Sequence, residues 1–117
     1  MRLQVKGRGV EVSESVRSYA EAKFKKLERQ LEDPEIELEV HVEANPKIAD
    51  DHTAEAAIRS RRLSLRAHAS ARTFEAAIDQ LVDKLERQMK RYREKRRRRP
   101  VEDHPLSKMP GEPVERE

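Results

Sequence analysis

The sequence predicts an α+β domain in two layers, a four-stranded sheet with two helices packed on one face, in the order β-α-β-β-β-α. Three observations predict it. Four short stretches alternate between apolar and polar residues, two stretches of helical period lie among them, and every alternating stretch is polar on one side. A sheet with one polar face needs cover on the other face only, and two amphipathic helices can supply it.

The first element is a short strand. Leu3 and Val5 point one way and Arg2, Gln4 and Lys6 the other, as in a half-buried strand, and Gly7-Arg8-Gly9 turns the chain out of it. Ser13 is placed to cap a first helix, in which Val16, Ala20, Phe24, Leu27 and Leu31 recur at helical spacing until Asp33-Pro34 stops the pattern. From Ile36 the period becomes two. Ile36, Leu38, Val40, Val42 and Ala44 take one face, and Glu35, Glu37, Glu39, His41 and Glu43 the other. Asn45-Pro46 ends this strand, and Ala49-Asp50-Asp51 reads as a loop tip. Ala54, Ala56 and Ile58, then Leu63, Leu65, Ala67 and Ala69, alternate on either side of Ser60-Arg61-Arg62 and predict a hairpin. Thr73 can cap a long second helix with the apolar stripe Phe74, Ala77, Ile78, Leu81, Leu85, Met89 and Tyr92. After Arg99 come Pro100, Pro105, Pro110 and Pro113 with charges and no apolar period. The expected division is therefore a folded domain over 1–99 and a disordered, acidic, proline-rich tail over 100–117.

Composition narrows the function. With 117 residues, 42% of them charged, and only two Phe, two Tyr and no Trp, the chain has material for one thin core of Val, Leu, Ile and Ala. The absence of cysteine excludes a disulfide framework and thiolate metal sites and points to a reducing compartment. No apolar run approaches the ~20 residues that span a bilayer, and the N-terminus alternates where a signal peptide would be continuously apolar. The expectation is a soluble, cytoplasmic protein with no membrane partner. The net charge of +3 conceals an asymmetry: Met1 to Arg99 carries 24 Lys and Arg against 18 Asp and Glu, whereas Pro100 to Glu117 carries 2 against 5. A basic domain favours a polyanionic partner, although a solvated surface can reach the same total.

The position of the charges is more informative. On a wheel of 100° per residue, Lys84, Arg87, Arg91, Lys95 and Arg98 form one stripe beside the apolar seam of the second helix, and Glu75, Asp79, Asp83 and Glu86 take the other flank. The first helix repeats the division, with Lys23 and Lys26 beside Tyr19 and Gln30, and Glu14, Glu21 and Glu28 opposite. Charges present for solubility alone are expected to mix in sign, as Glu86 and Lys90 do at i,i+4. A single basic stripe divides evenly between a solvated face and a binding face. Two stripes of the same sense, followed by the basic block Lys95 to Arg99, favour contact with a phosphate backbone. The Arg96-Arg97-Arg98-Arg99 run fits either cations at a helix C-terminus or a frayed polycation.

Catalysis finds little support. His41, His52, His68 and His104 lack the spacing of metal ligands, and His41 and His68 read as exposed strand residues. Gly7-Arg8-Gly9 lacks the remaining glycines and the Lys-Ser/Thr of a phosphate loop. The row Glu35 to Glu43 belongs to a solvated sheet face, with no cleft to make an acid and base of two carboxylates. No catalytic residue, metal or cofactor is expected.

Three segments carry a resemblance. They are Leu3-Gln4-Val5-Lys6-Gly7-Arg8 with Val10-Glu11-Val12-Ser13-Glu14; Ala22-Lys23-Phe24-Lys25-Lys26-Leu27-Glu28; and Ala76-Ala77-Ile78-Asp79-Gln80-Leu81-Val82-Asp83-Lys84-Leu85-Glu86-Arg87-Gln88. In this order they resemble the bacterial ribosome hibernation-promoting factor and protein Y family, over nearly all of residues 1–95, and they place the chain with its short forms. The resemblance implies a ribosome hibernation factor of stress or stationary phase. Such a factor occupies the decoding channel of the small ribosomal subunit, contacts its rRNA, competes with mRNA and tRNA, and so inhibits translation. It also implies a protein that is monomeric when free. The family's basic helix positions fall on Lys23, Lys26, Lys84, Arg87, Arg91 and Lys95, the residues that the wheels select; Lys90 lies in the matching segment but off the stripe, and Arg98 extends the stripe. The alternative reading is a general double-stranded RNA-binding or RNA-chaperone module, and a third is a partner for an acidic protein surface. The chain departs from the family in three places. Arg72-Thr73-Phe74 stands where relatives have Asp-Met-Tyr, so a tyrosine hydroxyl is missing there. Ser60-Arg61-Arg62 replaces a glycine-containing turn. A tail of about eighteen residues stands in place of the second domain of long members, and by its length it matches the short form that opposes ribosome pairing, though an inert acidic tail accounts for it nearly as well.

Overall fold

The computed structural model describes the backbone of residues 1–102 and the side chains of residues 1–94. The elements are β1 (Arg2–Gly7), α1 (Glu14–Glu28), β2 (Glu35–Val42), β3 (His52–Arg59), β4 (Ser64–Ala71) and α2 (Phe74–Glu102). This is the expected β-α-β-β-β-α order. Helix α2 runs three residues past the boundary expected at Arg99, and the rest of the expected tail, from residue 103, lies outside the described residues. The chain divides into two compact units, Met1–Glu86 and the segment from Arg87 onward.

In the first unit the sheet order is β1-β2-β3-β4. Strands β1 and β2 are parallel and the other neighbours antiparallel. A parallel pair needs a crossover, and α1 is the crossover here. The register sets the faces: Leu3 lies beside Ile36, Ile36 beside Ile58 and Ile58 beside Leu65, and the next row is Val5, Leu38, Ala56 and Ala67. Val5, Ile36, Leu38, Val40, Ala54, Ala56, Ile58 and Ala69 are buried, while Gln4, Glu37, Glu55 and Arg66 on the opposite face are exposed. One face is therefore covered and the other is wet.

The cover comes from the helices. Ala20, Phe24 and Leu27 of α1 and Ala77, Ile78, Leu81 and Leu85 of α2 are fully buried, which is the apolar stripe each wheel marks. The two hairpin strands present mainly alanine to this core, and the helices supply the bulk with Phe24, Ile78 and the leucines Leu27, Leu81 and Leu85. A thin, aromatic-poor composition is accommodated in this way, because small strand residues let the helix layer approach closely. The helix starts are as the sequence predicts. The Ser13 hydroxyl accepts from the Val16 amide at 3.2 Å, and the Thr73 hydroxyl from the Ala76 amide at 3.1 Å.

Several details differ from the sequence reading: α1 ends at Glu28, so Leu31 falls outside the helix, and β4 begins at Ser64, so Leu63 falls outside the strand. Strand β2 ends at Val42, so Ala44 falls outside it and Val42 is 40% exposed; the alternating pattern continues past the last partner on β3, which is His52. Gly7 belongs to β1, and Gly9, at φ +73°, makes the turn. A Cβ at Gly7 would collide with the Val10 carbonyl, so glycine is required there for the chain to fold back.

Candidate nucleic-acid interface

The basic residues singled out from the sequence have different environments. Lys23, on α1, faces α2: its Nζ lies 3.3 Å from Asp79 Oδ1, and the Tyr19 hydroxyl donates to the same carboxylate at 2.7 Å. Lys23 Nζ also sits 5.4 Å from the centre of the Tyr19 ring, one helical turn away. Lys26 is exposed, with no ion pair among the described residues. The basic flank of α1 thus meets the acidic flank of α2 at one point, through Lys23. Asp79 and Lys84 are five residues apart on α2, about 140° around the helix, so Lys84 is directed elsewhere. Its Nζ donates to the His68 carbonyl of β4 at 2.7 Å. The structure therefore does not bring Lys23 and Lys84 together.

The hydrogen bond to Asp79 is the largest cause of a shift at both partners. It raises the Tyr19 hydroxyl above its ordinary 10.0, because the phenol proton is shared with a carboxylate. It raises Lys23 above 10.5, and the Asp79 charge adds to the effect. Lys23 is cationic at neutral pH, but its charge is largely answered inside the fold.

In the second unit Arg87, Lys90 and Arg91 are exposed, and none has an ion pair or side-chain hydrogen bond among the described residues. Lys95 and Arg98 fall within the backbone span of α2, but their side chains lie outside the described residues.

The wet face of the sheet carries the acidic row of β2, compensated in part along its β1 side. Arg2 pairs with Glu35 at 3.3 Å and Arg8 with Glu39 at 3.8 Å. His41 is half-buried between Arg8, 3.0 Å from its Nδ1, and Glu43, 3.1 Å from its Nε2. Among the described residues no group of His, Asp and Glu could hold a metal ion, and no helix is long and apolar enough to cross a membrane. Sequence reasoning missed the Tyr19–Lys23–Asp79 cluster. The wheels place Tyr19 beside Lys23 and Asp79 on the other helix's acid flank, but a wheel treats one helix at a time.

The comparisons with known proteins bear on the same residues. The family described as sigma 54 modulation protein / S30EA ribosomal protein matches residues 3–97. The ribosome hibernation promoting factor of Escherichia coli K12 is 33% identical over 96 residues, which cover 81% of this chain and 96% of that relative. The ribosome hibernation promotion factor of a Picosynechococcus strain is 29% identical over 118 residues, covering 97% of this chain and 61% of the relative. This chain spans about three fifths of that relative and of a similar one from Lactococcus lactis. Among solved structures, the protein Y N-terminal domain of Thermus thermophilus superposes with a TM-score of 0.61 at 30% identity, over 79% of this chain and 99% of that one. A ribosomal subunit interface protein from Coxiella burnetii gives 0.68 at 22% identity, over 80% and 98%, and shares the fold. With the family match running from Leu3 through all six elements to Arg97, the chain belongs to the sigma 54 modulation / S30EA ribosomal protein family.

Proposed function

We propose that this protein is a ribosome hibernation factor that binds the decoding channel of the small ribosomal subunit and inhibits translation by blocking the places of mRNA and tRNA. The observation that carries the reading is the exposed basic surface of α2. Arg87, Lys90 and Arg91 are solvent-facing and lack an internal partner among the described residues, in a chain whose relatives bear the name ribosome hibernation promoting factor. A guanidinium held by a carboxylate of its own fold is poorly disposed to take a phosphate, whereas one facing water is available. Folded RNA presents phosphates and a shallow minor groove, so recognition by charge and shape needs no base-reading pocket. The mechanism is occupancy, with no bond made or broken. Lys23 contributes little directly in this reading and Lys26 more, because only Lys23 is tied to Asp79. Lys95 and Arg98 extend the same helix and are part of the proposal.

The test is sedimentation. Purified protein mixed with ribosomes should co-migrate with small subunits and with whole ribosomes, and should lower translation of a reporter mRNA in a cell-free system. Migration with naked RNAs of many kinds and with no preference for ribosomal particles would favour the general RNA-binding alternative instead.

A further inference from the structure

Basic residues off the helices also gather at one place. The N-terminal ends of β1 and β2 and the turn from β3 to β4 enclose a cleft of about 400 Å³ lined by Arg2, Asp33, Glu35, Arg59, Ser60 and Arg61. We infer that this cleft is a second phosphate-binding site, taking a phosphodiester of the RNA backbone between Arg59 and Arg61. The inference rests on the reading of the protein as an rRNA-binding factor and adds a contact that the helix wheels cannot show.

Three observations support it. The first is charge left over after internal pairing. The register puts Arg2, Glu35 and Arg59 in one row across three strands, and Arg2 takes Glu35 at 3.3 Å. Arg59 and Arg61 are exposed and have no ion pair or side-chain hydrogen bond among the described residues. Three arginines face two carboxylates, and one of the carboxylates is already engaged. The excess is one positive charge, which a single phosphodiester monoanion balances and a further cation does not.

The second is rigidity. The Arg61 amide donates to the Glu32 carbonyl at 3.2 Å, the Ser60 amide to the Leu63 carbonyl at 2.9 Å, and the Arg2 amide to the Pro34 carbonyl at 3.1 Å. Asp33 holds φ +49°, a conformation that aspartate tolerates better than most residues, and the ring of Pro34 locks the next φ. Three chain segments that are distant in sequence are thereby locked edge to edge, so two guanidinium groups are presented from a fixed backbone and lose less entropy on binding.

The third is the chemistry of the turn. The hairpin turn Ser60-Arg61-Arg62 places the large cation Arg61 at the cleft, where a small residue would serve the backbone as well. Forked guanidinium groups match the paired oxygens of a phosphodiester better than any other side chain does.

The experiment compares three full-length variants for binding to purified bacterial small ribosomal subunits over a range of salt concentrations. In Arg59→Gln/Arg61→Gln the slope of log affinity against log salt should fall by roughly 0.7–0.9, the share of one lost phosphate contact. Affinity at low salt should fall about tenfold or more. The charge-matched control, Lys6→Gln/Lys47→Gln, removes two exposed cations elsewhere and should change the slope little. Circular dichroism should show all of them folded, because these side chains are exposed. Equal slopes in the arginine pair and the control would overturn the inference. Arg87→Glu/Arg91→Glu separates the two levels: lost binding there beside an unchanged slope in Arg59→Gln/Arg61→Gln removes this site alone, whereas failure of the unmodified protein to bind subunits removes the proposed function and the site together.

Discussion

The basic flanks of the two helices look alike in the sequence and differ in the structure. On α1, Lys23 is held at 3.3 Å by Asp79, with the Tyr19 hydroxyl on the same carboxylate. On α2, Arg87 and Arg91 are exposed without a partner among the described residues. One stripe is partly a fastening between helices, and the other is free to meet something outside. The difference shows that sign and spacing identify where cations lie, while the neighbouring element decides whether they are already spent. A basic stripe counts toward a binding surface only after subtraction of the carboxylates packed against it.

The largest effect should come from the core of the first unit. Leu81 is fully buried in the stripe of α2, and its truncation to alanine should cost roughly 2–4 kcal/mol through lost transfer energy and a residual cavity. In a small domain that is enough to unfold a sizeable fraction of the molecules. Urea unfolding followed by circular dichroism measures it. A loss well under 1 kcal/mol would mean that the site collapses around the alanine and that the core is less tightly built than its burial indicates.

Next comes the free flank. Reversal of both Arg87 and Arg91 to Glu should weaken binding to small subunits by roughly a hundredfold, about 2.7 kcal/mol, with the unfolding midpoint nearly unchanged. The unmodified protein, with about 5–8 phosphate contacts, should show a salt slope of several units in magnitude. Reversal of Arg17 is the comparison. It lies on the other flank of α1, 3.8 Å from Glu14, and its loss should matter little to binding. Equal losses at the two places would show that net charge alone governs association.

Much of this molecule was legible in its sequence. The period-two and helical stripes located all six elements, and Ser13 and Thr73 marked both helix starts through hydroxyls that accept the expected amides. These signals are local, and a few neighbouring residues determine them. Strand order and the parallel pairing of β1 with β2 depend on contacts between distant segments and have no local signature. The same holds for the candidate site. The exposure of Arg87 and Arg91 arises from their place outside the apolar seam, but the capture of Lys23 depends on a residue 56 positions away. Arg61 of the β3–β4 turn was visible as charge at a loop tip, yet its cleft depends on distant segments, with the Arg61 amide bonded to the Glu32 carbonyl of the α1–β2 connection.

A smaller effect belongs to the fastening itself. Asp79→Asn keeps an acceptor for the Tyr19 hydroxyl and removes the negative charge that holds Lys23. Both Asp79 and Lys23 are partly exposed, at 47% and 31% of their side chains, so water screens the pair and the melting temperature should fall by only a few degrees. If Lys23 is mainly structural, this variant should bind small subunits at least as well as the unmodified protein, because it releases a cation. Weakened binding with an intact fold would show that Asp79 positions Lys23 for the RNA and that α1 belongs to the binding surface after all.

The smallest effect is a dependence on alkaline pH, and its sign is set by the direction of the two shifts. Folding raises the proton affinity of Tyr19, chiefly through the hydrogen bond to Asp79, and raises that of Lys23 through the same carboxylate. For both groups the native state holds its proton more tightly than the unfolded chain. The stabilisation they confer is complete below their ordinary values, 10.0 and 10.5, and is lost as the pH climbs through the raised native values. Near neutrality these two groups leave stability flat. Above about pH 10 the unfolding midpoint should decline, and the decline should be shallower in Asp79→Asn, which removes the carboxylate charge, and in Tyr19→Phe, which removes the titrating hydroxyl. Urea midpoints at about pH 8, 10 and 11 for the three proteins measure this. Parallel curves would mean that Tyr19 and Lys23 are not held by Asp79 in solution, and the contrast between a fastened and a free flank would lose its first half.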